Sequence, residues 1–291
     1  MRLPFDSYRI TAFFDALAAR IRPRRLRCYR RCIPLFKGKI GLEIGGPSSV
    51  FKLGRLFPVY AVAGRVDNCN LSHRASDPLY RFETAIEEGR TFRYSRLRAP
   101  GVQYVMEAAD LSRIAPASYD FVLSSHALEH VANPLRALSE WTRVLREGGH
   151  IVLVLPHKDG TFDHRRPVTT LAHMVADFER RVSDDDATHM DEILRLHDLA
   201  RTPEYPGIED LKQATRENPV RRRLHHHVFD TRLAVETVHH MGLQILSVEV
   251  YIPHHILIVA RKPGKSEEVR NDPFRGIGAA PVWKSPFPSD R

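Results

Sequence analysis

Cysteine is nearly absent. Three thiols, Cys28, Cys32 and Cys69, cannot all pair, so the disulfide framework that small secreted folds depend on is excluded. Cys28 and Cys32 form a lone C-x-x-x-C with no second pair, too little for a zinc knuckle. Long apolar runs are missing too. Stretches such as IVLVLP and ILIVA fall far short of the roughly 20 residues that span a bilayer. Early arginines are not followed by an uninterrupted apolar segment, so a secretory leader is not expected and a reducing cytosol is the expected compartment.

A one-sided charge is absent from most of the chain. Residues 40–291 hold 33 basic and 33 acidic side chains, whereas residues 1–39 hold eleven Lys/Arg and two Asp. The net charge of +9 therefore belongs to an N-terminal arm, and nucleic acid is not an expected partner. In that arm Ile10, Phe13, Phe14, Leu17 and Ile21 follow helical spacing, and seven arginines crowd residues 20–31. An amphipathic helix docked on the domain, then a solvated basic segment, is expected. An anionic membrane surface is the partner such a segment would take.

From residue 40 the texture is that of alternating strands and helices. IGLEIGG reads as a buried strand entering a glycine turn, and VYAVAGRVD (59–67) as a second strand. VQYVMEAADL (102–111) and YDFVLSS (119–125) read as a third and a fourth. Residues 133–146 show helical periodicity, stopped by Glu147, Gly148 and Gly149 before the fifth strand at 150–156. Residues 157–230 break the rhythm with helices expected at 170–181 and 187–199; a helix capped by Asp230 and two closing strands follow. The expected fold is α/β, doubly wound around a mostly parallel seven-stranded sheet, with a helical insertion (157–230) after strand five. It divides into an arm (1–39), a main domain (40–262) and a loose tail (263–291) broken by five prolines.

An acid and glycines after the first strand, an acid ending the second, an Asp after the third, LEHVANP after the fourth and LREGG before the fifth stand in a telling order. In that order the sequence resembles class I S-adenosylmethionine-dependent methyltransferases, over about residues 40–157. The resemblance implies a Rossmann-like sheet with S-adenosylmethionine as cofactor. Gly45 and Gly46 would let the backbone approach it where a Cβ would collide. Glu43 would accept from the ammonium of the methionine moiety. Asp67, 24 residues on, would accept from the ribose hydroxyls. Asp110 with Leu111 would border the adenine, and Ser125 and His126 would face the methyl end. One departure stands out: the family's E-x-G-x-G-x-G would place glycines at 47 and 49, where Pro47 and Ser49 stand. A nicotinamide unit is excluded, because 45–50 read GGPSSV and not G-x-G-x-x-G.

His126, Glu129 and His130 spell H-x-x-E-H, the active-site string of one zinc peptidase family. There the string lies within a long helix. Here it begins at the tip of a buried strand, so a pocket role for His126 and first-turn helix positions for Glu129 and His130 are expected. Asp163, Asp185 and His226 match no tight metal spacing either, and no metal site is expected.

Twelve of the sixteen histidines fall in residues 151–260. Methyl transfer to a hydroxyl needs in-line placement and a base, and a histidine titrating near ~6.5 suits that task. His157, directly after strand five, is the first candidate; His164, paired with Asp163, is the second. Arg221, Arg222 and Arg223 read as a solvated turn. The blocks PHKDGTFDHRRPVTT and HHHVFD look like those of bacterial methyltransferases associated with surface-glycan assembly. That resemblance implies a small-molecule or glycan acceptor methylated on oxygen. An RNA or protein methyltransferase and a non-catalytic cofactor-binding protein are the alternatives.

Overall fold

A computed structural model describes residues 25–71, 74–76, 83–95 and 98–291. The expected amphipathic helix of the arm and the first arginines of the basic segment lie outside the described residues. In chain order the strands are β1 (Ile40–Ile44), β2 (Arg65–Asn70), β3 (Arg74–Ser76), β4 (Glu83–Ala85), β5 (Gly89–Phe92), β6 (Gly101–Val105), β7 (Tyr119–Ser125), β8 (Leu145–Pro156), β9 (Gln244–Tyr251) and β10 (His255–Arg261). Strands β3 and β4 form a separate hairpin; the other eight make one sheet in the order β5-β6-β2-β1-β7-β8-β10-β9. Strands β6, β2, β1, β7 and β8 run parallel, while β10, β9 and β5 are antiparallel to their neighbours. Seven of these strands were legible in sequence. The eighth, β5, is a short edge strand (GRTF) with a single apolar side chain and so no apolar alternation.

Winding reverses between β1 and β7, since the chain steps outward through β2 and β6 and returns to β7 on the other side of β1. A crevice at the carboxyl ends of β1 and β7 is the ligand edge of such a sheet. The central strands are buried on both faces, which is why they read as apolar runs. Phe121 and Leu123 pack on one face with Phe36 and Val152, and Val122 on the other with Leu42 and Trp141. At Gly41 any side chain would strike the Phe121 ring, 1.9 Å from where a Cβ would stand.

Three strand boundaries differ from the sequence reading, and one is β6, which ends at Val105 and not at 111. Val59–Ala61 is a short 3-10 turn, and β2 begins only at Arg65. A five-residue apolar stretch suits a packed turn as well as a strand. The glycines Gly148 and Gly149 lie inside β8, where its pairing with β7 shifts register.

Helix α1 (Tyr29–Cys32) is a single turn. Arg27 and Cys28 donate backbone N–H groups to Glu249 on β9, at 2.9 and 2.6 Å, and Leu26, Cys28 and Cys32 are buried. The described end of the arm is thus seated on the sheet, with Arg27, Arg30 and Arg31 left exposed. Helix α2 (Pro134–Val144) starts with proline, is capped by Asn133 accepting from the Arg136 N–H at 3.1 Å, and buries Leu135, Leu138 and Trp141. The insertion carries α3 (Leu171–Arg180), α4 (Met190–Leu196) and α5 (Ile208–Arg221), with a small core of its own around Ile193, Leu211 and Leu224. Helix α5 was not foreseen; it is mostly polar and holds Pro219 in its last turn.

Helix α6 (Thr231–His240) is capped by Asp230 as expected, and α7 (Asp272–Arg275) belongs to the tail. That tail is not loose. Trp283, Phe287 and Asp290 are buried, and Thr231 donates from its backbone and hydroxyl to Asp290 at 3.1 and 2.6 Å. Prolines forbid regular structure there, yet they leave aromatic burial untouched.

Candidate active site

The chain turns out of β1 at Gly45, with φ +78°, a conformation that glycine adopts without a Cβ penalty. Gly45 is open to solvent, whereas Gly46 is buried. A Cβ on Gly46 would lie 2.3 Å from the Glu43 carboxylate. Glu43 is fully buried and closes the turn on itself: it accepts from the Ser48 N–H at 3.0 Å and from the Tyr60 hydroxyl. Asn68 completes the clamp, accepting from the Gly46 N–H at 2.9 Å and donating to the Gly46 carbonyl at 3.3 Å. Burial pushes the Glu43 carboxyl up to about 7 against these donors. Its oxygens are engaged within the turn, where a ligand ammonium was expected.

Asp67 does not end its strand. It is the third of six residues in β2 and lies toward the sheet's opposite edge. There it accepts from Val102 N–H at 2.8 Å and the Tyr119 hydroxyl at 3.0 Å, beside Arg65 at 3.1 Å. The late start of β2 causes the shift. Asn70 ends the strand, its amide 3.5 Å from the Gly46 carbonyl. Just beyond β6, Glu107 is paired with Arg222 at 3.3 Å, and Arg222 also meets Asp184 at 3.5 Å. Burial and Asp184 hold Glu107 up at about 7. Arg222 is therefore folded inward, not solvated. Asp110 is exposed, held below its ordinary value by the Ser112 hydrogen bonds, and fronts a surface hollow against α2. Leu111 is buried, its N–H donated to Glu140 at 2.9 Å.

Ser125 and His126 do stand at the tip of β7. His126 has φ +54°, strained for a residue with a side chain and typical of functional sites. A Cβ built on Gly45 would lie 3.4 Å from the Ala127 Cβ, so the β1 turn and the β7 tip adjoin. Next to them opens a cavity of 280 Å³ lined by His126, Glu129, His130, His225, His254 and Arg201, with Phe162 and Glu204 closing it from the insertion. Burial brings His130 down to about 4 and His254 to about 3, leaving both neutral at physiological pH. For His225 burial works against the charged form, but the Asp163 and Glu129 carboxylates together raise the imidazole.

Glu129 is fully buried at the back of this wall. Its Oε1 is 3.5 Å from His126 Nδ1, 3.9 Å from His130 Nε2 and 4.0 Å from His225 Nε2. Burial pushes this carboxyl up, but the three histidines outweigh it and draw it down to about 2.

The expected base group does not assemble. His157 is fully buried, stacked on Phe287 with ring centroids 4.0 Å apart, and its Nε2 is 3.1 Å from Asp290. Its Nδ1 accepts from the Asp159 N–H at 3.2 Å. His164 pairs with Asp198 at 2.9 Å, not with Asp163, which holds Arg166 at 2.9 Å and His225 at 2.5 Å. Adjacent residues of a turn point apart, so neighbours in sequence took different partners. Glu129, His130, His225 and His254 were missed as cavity residues; the H-x-x-E-H string and the triple histidine were the signals that could have found them.

A family model described as a methyltransferase domain matches residues 83–153, from β4 into β8. Over that stretch the chain is similar to a methyltransferase domain. No curated protein matches it. Similar solved structures include an S-adenosylmethionine dependent methyltransferase from Mesorhizobium loti, 15% identical over 80% of this chain and 95% of that one, with a TM-score of 0.42. Another is the 1,6-didemethyltoxoflavin-N1-methyltransferase of Burkholderia thailandensis, 11% identical over 91% and 92%, with a TM-score of 0.44. Neither likeness bears on the acceptor of this chain. Within the matched stretch the H-x-x-E-H string spans a strand tip and the short 3-10 turn Leu128–His130, not the long helix of a zinc peptidase.

Proposed function

We propose that this methyltransferase moves a methyl group from S-adenosylmethionine to an oxygen of a small, hydroxylated acceptor of glycan type, held in the cavity beneath the insertion. The observation that carries this reading is the polar, histidine-lined cavity adjoining the Gly45 turn. S-adenosylmethionine supplies an electrophilic methyl group on a sulfonium. Gly45, with its backbone open at the carboxyl end of β1, fits a cofactor laid across this edge, and Asn70 stands beside the turn to hold its polar groups. His126, one residue from the contact with that turn and paired through Nε2 with His255 Nδ1 at 2.8 Å, would take the proton that leaves the acceptor hydroxyl. Arg201, anchored by the Asp159 and Thr161 carbonyls at 3.1 and 3.2 Å, and Glu204 would orient the remaining hydroxyls.

At 280 Å³ the cavity falls just below the ~300–1,000 Å³ of small-molecule sites, which favours one ring over a polymer. If that ring is lipid-linked, exposed Arg27, Arg30 and Arg31 would meet an anionic surface. Among the described residues no helix is long and apolar enough to cross a membrane.

Calorimetric titration with S-adenosylhomocysteine tests the cofactor, and label transfer from S-adenosylmethionine to sugars, RNA and proteins tests the acceptor. Binding with transfer to a sugar hydroxyl supports the reading. Transfer to RNA or protein alone moves the acceptor class, and absence of binding overturns the reading altogether.

A further inference from the structure

We propose that Glu129, His130 and His225 bind one divalent first-row transition-metal ion, of the zinc type, in the wall of the cavity. Three observations converge. First, the ligand atoms of these residues lie within 4.8 Å of one another. Donors around one tetrahedral zinc stand about 3.3–3.5 Å apart, from bonds of about 2.0–2.2 Å. Separations of 3.9 and 4.0 Å from Glu129 to the two imidazoles thus need to close by only about half an ångström. Second, each imidazole has its outer nitrogen fixed and its inner nitrogen turned to Glu129. His130 donates from Nδ1 to the Leu224 carbonyl at 3.2 Å, and His225 from Nδ1 to Asp163 at 2.5 Å. Asp163 is itself held by buried Arg166 at 2.9 Å. A ligating histidine anchored through its second nitrogen to a carbonyl or carboxylate is the usual support of a metal.

Third, Glu129 is fully buried, and neither of its oxygens makes a hydrogen bond of normal length among the described residues. Its nearest polar neighbour, His126 Nδ1 at 3.5 Å, is long for one. A buried carboxylate in that position calls for a cation. The rival cation is a protonated His225, but at 4.0 Å its Nε2 is too far from Glu129 to donate. Imidazole with one carboxylate suits zinc and its neighbours better than calcium or magnesium. Three protein ligands leave a coordination position toward the cavity. On the reading that an acceptor hydroxyl binds there, that position would take its oxygen.

The test is metal binding, which is independent of methyl transfer. Chelator-treated full-length protein is titrated with zinc, then with cobalt, and bound metal is counted by mass spectrometry. A second histidine–carboxylate group, His173, Asp177, His189 and His227, makes Asp177→Asn the necessary control. The expected result is at least a 100-fold loss of one zinc site in Glu129→Gln and His225→Gln, with that site kept in Asp177→Asn. His130→Cys guards against a merely unfolded variant: its cobalt complex should gain a thiolate charge-transfer band. Wild type that binds no zinc or cobalt, binding lost only in Asp177→Asn, or no thiolate band in a folded His130→Cys overturns the proposal. If S-adenosylhomocysteine binds while metal does not, the methyltransferase reading survives and the metal site falls.

Discussion

Glu43 and Glu129 are both fully buried carboxyls at the ligand edge, yet they titrate in opposite directions. Glu43 receives hydrogen bonds from neutral donors, which do not repay its burial, and it rises to about 7. Glu129 makes no hydrogen bond of normal length but has three imidazoles around one oxygen, and it falls to about 2. The same side chain thus does two jobs. At β1 it is a structural clamp that closes a turn on itself; at the β7 tip it is an anion faced by three imidazoles. Depth alone does not make a carboxyl functional; the chemistry of its neighbours does.

The comparison breaks first at Glu129. Glu129→Gln should lower methyl transfer by about 10³-fold, beyond the ~10–100-fold loss of an outer-shell partner. It should leave S-adenosylhomocysteine affinity within about threefold, as steady-state kinetics and calorimetry would show; equal losses in both would make Glu129 a second clamp. Gly46→Ala attacks the other side. The new Cβ, 2.3 Å from the Glu43 carboxylate, should cost about 3 kcal/mol in denaturant unfolding and weaken the cofactor analogue at least tenfold. Unchanged affinity would separate the turn from cofactor binding.

The pH dependence sharpens the contrast. Folding lifts Glu43 from 4.5 to about 7, so between those values the native state keeps a proton that the unfolded chain has released. The resulting stability is complete below pH 4.5 and is lost as pH rises through about 7. Its size is roughly 3 kcal/mol, and unfolding curves of Glu43→Gln across this range should lack it. A smaller effect is expected at Asp67. Asp67→Asn should cost about 2 kcal/mol through its buried partners while leaving analogue affinity unchanged; a tenfold loss of affinity would restore it as a ligand residue. The smallest concerns His157. His157→Gln should lower stability by about 1–2 kcal/mol through lost stacking on Phe287 and contact with Asp290, with transfer within about threefold. A larger kinetic loss would return it to the list of bases.

The fold was largely legible because buried parallel strands advertise themselves as apolar runs between glycine turns. YDFVLSS and IVLVLP are such runs, and Asn133 and Asp230 mark their helices by capping. Misreadings fell where local pattern is ambiguous. VYAVA packs as a turn, polar α5 hides its buried face of Leu211 and Ala214, and the proline-rich tail conceals the aromatic anchors Trp283 and Phe287. At the site, Gly45, Ser125 and His126 lie at the expected edge. The acids Glu43 and Asp67 turned inward, because strand offset decides which residue reaches the end of a sheet and that offset is a tertiary quantity.

By itself the sequence determined an α/β sheet, the glycine turn after β1, and a reserve of histidines placed downstream of the fifth strand. Periodicity and turn chemistry are local, and they need no partner to be read. Only the tertiary structure decided which histidines work together. His130 and His225 lie far apart in sequence yet flank one buried oxygen, while His157, first in line by position, is sealed under the tail. Long-range pairing sets those neighbours, and a side chain's charge state depends on its neighbours more than on its place in the chain.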